Sequence, residues 1–122
     1  MNTKLKHAEP GAKPPPNLLD ARKWADFRAE KSIAHFLVEE ADQEPRKIAV
    51  SRNMRLVLEG LMRGPVLAAS RCRISDQVLP LRRDKGLNIQ CTIYQNGADG
   101  NATKYGVYTL QSKVCRVERD AS

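Results

Sequence analysis

The stretch Pro80–Leu110, PLRRDKGLNIQCTIYQNGADGNATKYGVYTL, places two alternating segments behind a basic run and a glycine. In the first segment Leu87, Ile89, Cys91 and Ile93 fall on one side and Asn88, Gln90, Thr92 and Tyr94 on the other. That period of two is the pattern of a strand with one buried face. KYGVYTL resumes it, with Tyr105, Val107 and Thr109 opposite Gly106, Tyr108 and Leu110. The NGADGN between them is rich in turn residues, so the two runs read as a hairpin. Ahead of them SDQVLPLRRDKG reads as a helix. Ser75 or Asp76 is its N-cap and Gly86 its left-handed stop. Val78 and Leu81 face inward, while Gln77, Arg82, Arg83 and Lys85 face out. Pro80 sits about one turn in and removes a backbone bond.

Upstream, VLAASRCRI has room for about two turns of helix. SRNMRLVLEGLMRG before it carries Met54, Val57, Leu58 and Leu61 at i, i+3, i+4 and i+7. Ser51 can cap this helix, and Gly64-Pro65 ends it. The order from Ser51 is helix, short helix, helix, strand, loop, strand.

These residues, SRNMRLVLEGLMRGPV, LRRDKGLNIQCTIY and KYGVYTL, resemble small winged helix-turn-helix proteins of bacteriophages and prophages over about residues 51–110. The resemblance implies an α+β fold of three helices and a β-hairpin wing, with the third helix in the major groove of double-stranded DNA. Gln77 would then meet adenine, with one donor and one acceptor, and Arg82 or Arg83 guanine, whose two acceptors match the forked guanidinium donors. Arg71, Arg73 and Lys85 would meet phosphates, and Lys104 is the cation of the wing. The sequence departs from the family in a short Pro65–Ser75 stretch, in one extra residue between Leu81 and Gly86, and in Pro80.

Outside this region, residues 1–17 are polar and proline-rich and read as a disordered tail. Residues 18–44 read as an amphipathic helix capped by Asp20, with Trp24, Phe27, Ala34, Leu37, Val38 and Ala41 on one face. Ile33 and Phe36 fall on the other side. Such a helix needs cover on more than one side, either from residues 51–112 or from a second copy meeting Trp24, Phe27 and Phe36. Residues 113–122 read as a polar tail, within which KVCRV has the alternation of a short strand.

The charge is uneven. Residues 1–50 hold nine Lys/Arg against eight Asp/Glu, and residues 51–122 twelve against six, which sum to the net +7. A positive field of this kind attracts polyanions by counterion release. No run approaches the ~18 apolar residues of a membrane span, and the N-terminus lacks the apolar segment of a signal peptide. The reading is a cytoplasmic, non-membrane protein of the host cell. Cys72, Cys91 and Cys115 form no CxxC pair, so no metal or other cofactor is expected. His7 and His35 have no Cys, Ser or Asp partner in reach of the pattern, and Glu39, Glu40, Asp42 and Glu44 lie on one surface rather than as an opposed pair. The chain reads as no enzyme. The leading expectation is a DNA-binding transcriptional regulator or an accessory of DNA transactions. The other is a module that docks on a host protein or defence complex.

Overall fold

The structure, a computed structural model, describes residues 5–9, 12, 13, 15, 17–40, 42–68, 73–96 and 103–117. Its described elements, in chain order, are β1 (Leu5–His7), a 3-10 turn (Trp24–Phe27), β2 (Ala34–Glu39), β3 (Arg46–Val50), α1 (Arg52–Arg63), β4 (Val66–Leu67), α2 (Ser75–Arg83), β5 (Ile89–Asn96), β6 (Thr103–Leu110) and β7 (Lys113–Val117). The strands form two sheets, one ordered β1-β5-β6-β4 and one ordered β3-β2-β7. All pairings are antiparallel except β1 on β5.

This overturns the winged-helix expectation. Two α-helices are present among the described residues rather than three, and a second sheet stands where that fold has none. The expected helix over 18–44 is a 3-10 turn followed by half of a β-hairpin. The reason is visible in β2, whose burial alternates residue by residue: Ala34, Phe36 and Val38 are buried, while His35 is exposed and Leu37 and Glu39 half-buried. Paired with β3 and β7, this segment buries Phe36 on the same side as Val38, which a helix separates by about 200°. The short helix expected after Pro65 is also absent from its start, because Val66 and Leu67 pair with Tyr108 and Val107. Residues 113–122 are not a simple tail, since Lys113–Val117 completes the second sheet against β2. Nor are residues 1–17 wholly a disordered tail, since Leu5–His7 runs parallel to Cys91–Ile93.

The hairpin and two helices do form. Ser51 is the extended N-cap of α1. α2 begins at Ser75 itself, with Ile74 ahead of it, and contains Pro80. Gly86 has φ +68°, the left-handed value that glycine adopts without a Cβ penalty. The core gathers Phe27, Phe36, Val38, Leu56, Val57, Leu58, Val66, Val78, Leu81 and Ile89 from both sheets and both helices. Gly60 on α1 permits the closest approach: a Cβ there would stand 2.6 Å from the ring of Phe27.

Two polar junctions join the sheets. The chain leaves β6 at Gln111-Ser112 and enters β7 in the other sheet. At this corner the buried Ser112 hydroxyl accepts the Asn88 N–H at 2.9 Å and donates to Glu40 Oε2 at 2.6 Å. Arg46, at the start of β3, donates to the carbonyls of Lys85 and Gly86 at 3.0 and 2.9 Å. The second sheet is thereby fixed to the turn between α2 and β5.

Candidate nucleic-acid interface

α2 turns Val78 and Leu81 into the core and leaves Ser75, Asp76, Leu79 and Arg83 outward. That outward face holds one acid, one apolar side chain that is 46% exposed, and one cation. It lacks the run of donors that a groove-reading helix presents.

The expected site residues separate into different roles. Arg82 is structural: its Nε and Nη2 donate to the Ile89 carbonyl at 2.9 and 2.6 Å, and its guanidinium lies 5.8 Å from the centre of the Tyr108 ring. Arg73 is exposed and meets Asp76 at 3.6 Å, on the same side of α2 as its own carboxylate partner. Gln77 is half-buried, as is Lys85. Arg83 alone of the expected base readers projects freely into solvent. Arg71 lies outside the described residues. Of Lys104 the structure gives the backbone place in β6, opposite Gln95. Among the described residues, the expected site residues Gln77, Arg82 and Lys85 are part-buried and only Arg73 and Arg83 are exposed.

Around Arg82 the environment is a packed one. Cys91 and Tyr108 stand directly opposite on β5 and β6. Burial pushes the Cys91 thiol up, with the nearby Arg82 charge pulling weakly the other way. Burial raises the Tyr108 phenol likewise. Both groups stay protonated and neutral near pH 7, and the thiol is no nucleophile there.

Several arginines do internal work, among them Arg55 and Arg63, which the helical pattern of residues 51–64 assigns to the surface. Arg55 is 2% exposed; it donates to Glu59 at 2.5 Å and to the carbonyl and hydroxyl of Ser32 at 2.7 and 3.1 Å. The i, i+4 spacing of Arg55 and Glu59 was a readable sign of that pair. Arg63 donates to the Phe27 carbonyl. Nothing in the sequence signals the contacts of Arg46 or Arg63, which span 36 to 40 residues. Arg63 also borders a cleft of about 410 Å³ whose lining includes Leu19, Asp26, Arg28, Gly60 and Pro65. The Asp26 carboxylate accepts the backbone N–H of Arg22 and of Lys23, which holds it below the usual aspartate range.

What remains for a polyanion is a dispersed set of cations. Arg22, Lys23, Arg28, Arg83 and Arg116 are exposed. Only three ion pairs form among the described residues, and of these only Arg73–Asp76 and Lys113–Glu39 involve exposed cations. Among those residues no three His, Cys, Asp or Glu side chains gather as metal ligands, and no helix is long and apolar enough to cross a membrane. Comparison of the chain with protein-family models, curated proteins and solved structures finds no match.

Proposed function

We propose that the chain binds double-stranded DNA by contact with phosphates, as an accessory of DNA transactions rather than as a reader of base sequence. The observation that supports this is the combination of a net +7 charge with exposed cations that are mostly unpaired. Unpaired surface arginines release counterions on meeting a phosphate backbone and require no fixed register. The mixed outward face of α2 argues against groove readout as the source of affinity.

The test is a salt titration of binding to random-sequence duplex DNA. Affinity is expected to fall steeply with salt, and the Arg22→Ala/Lys23→Ala/Arg28→Ala/Arg83→Ala variant to show a slope shallower by about 0.9 for each phosphate contact removed. Scrambling the DNA sequence is expected to leave the affinity unchanged. Failure to bind at about 50 mM salt would overturn the proposal.

A further inference from the structure

One surface is not used by this reading: the outer face of the sheet β3-β2-β7. Its inner face is settled, because Ala34, Phe36, Val38 and Val50 lie in the core, with Ile48 and Val114 packed against it. Register then assigns the outer face, since residues directly opposite in antiparallel pairs share a side. One row is Lys47, Leu37 and Cys115; the next is Ala49, His35 and Val117. Ile33, one residue before β2, continues the same alternation and is 63% exposed, the most exposed large apolar side chain among the described residues. Leu37, Ala49 and Val117 on this face are half-buried, and His35, Lys47 and Cys115 are exposed.

The two ends of this face differ in charge. The β2–β3 turn bears Asp42 and Glu44, both exposed and without a cation partner among the described residues. Glu39 beside it is already matched by Lys113 at 3.6 Å, and Glu40 takes the Ser112 hydroxyl. At the opposite end lie Lys31 and Arg52, exposed and without a carboxylate partner among the described residues. Glu30 at that end accepts the Ser32 hydroxyl at 3.4 Å. A centre of Leu37, Ala49 and Val117, with Lys47 and His35 exposed beside them, lies between an acidic end and a basic end, and is self-complementary under a two-fold axis that reverses strand direction. Each acidic turn then meets the other copy's basic end, as an isologous contact requires.

We propose that this face is the interface of a homodimer in which two copies of the β3-β2-β7 sheet pack antiparallel, with Leu37 at the centre and Ile33 towards the basic end. The expectation that placed Trp24, Phe27 and Phe36 at a dimer contact does not describe this one: Phe27 and Phe36 are fully buried inside the chain, and Trp24 stacks on Phe27. Three strands at ~4.8 Å spacing make a small patch, so the dimer is a weak one.

Sedimentation and light scattering across concentration test this on the full chain. The mass is expected to rise from 13.7 kDa towards twice that value. Leu37→Glu is expected to stay monomeric with an unchanged circular dichroism spectrum and melting temperature. Two charge variants separate electrostatic matching from general stickiness. Lys31→Glu/Arg52→Glu and Asp42→Lys/Glu44→Lys are each expected to lose self-association at least tenfold, and to associate when mixed. Alkylation of Cys115, followed by peptide mass, is expected to slow as wild-type concentration rises. A wild type that stays monomeric at several hundred micromolar, a Leu37→Glu variant that dimerises as wild type, or charge variants that do not associate when mixed would each overturn the proposal.

Discussion

At the scale of the residue, the clearest lesson is Arg82. Its place in LRRDKG suggested an outward donor, and adjacent Arg83 is one. Arg82 instead lies on the side of α2 that faces β5 and β6, where it satisfies the Ile89 carbonyl. A 100° step per residue separates the two fates, and the sequence alone leaves the phase of so short a helix open because Pro80 blurs its start. Arg82→Ala leaves a part-buried carbonyl without its donor and removes the cation from the Tyr108 ring. It is expected to lower stability by about 1–3 kcal/mol in urea unfolding, with the salt slope of DNA binding unchanged. Arg83→Ala is expected to do the reverse, with stability within about 0.5 kcal/mol of wild type and a shallower slope. Gly86, by contrast, was legible: a glycine closing a basic helix ahead of a strand pointed to a left-handed residue, and φ is +68°.

At the scale of the element, the hairpin β5–β6 and the helix α1 could be read because their periodicities are clean and their turn residues specific. The segment 34–39 could not, since AHFLVE follows a run without Gly or Pro and its strand character depends on partners 8 to 82 residues away. The one local sign was Phe36, which fits no single helical face with Leu37 and Val38. Neighbouring substitutions distinguish the two periods. In the strand Phe36→Ala is expected to cost about 3–5 kcal/mol, as removal of a fully buried ring does. Leu37→Ala, on the outer face, is expected to cost less than about 1 kcal/mol at low micromolar concentration, where the monomer prevails. Equal costs from chemical denaturation would contradict the alternation of β2.

At the scale of the whole molecule, the division into a tail, an arm and a domain of residues 51–112 dissolves. β7, from the end of the chain, pairs with β2, and β1, from its beginning, pairs with β5. Long-range pairing of this kind leaves no mark in composition, because each strand is only a few residues long and its partner is chosen by tertiary packing. The candidate interface was legible only as charge: the sequence gives the excess of cations, but which of them lie free on the surface depends on the internal bonds of Arg46, Arg55, Arg63 and Arg82. The interleaving has a direct consequence for truncation. Six of the sixteen residues of the buried core, Ala21, Phe27, Ala34, Phe36, Val38 and Val50, precede Ser51. A fragment of residues 51–112 would expose the faces of α1 that these cover and would leave Arg55 without the Ser32 carbonyl. At this size a chain buries only about 60–70% of its unfolded surface even when complete, so losing over a third of the core exceeds any ordinary margin. The fragment is expected to give no cooperative thermal transition and no dispersed amide spectrum, whereas the full chain gives both. A fragment that melted cooperatively would mean that the two sheets are independent units, and that Ser112 and Arg46 join parts able to fold apart.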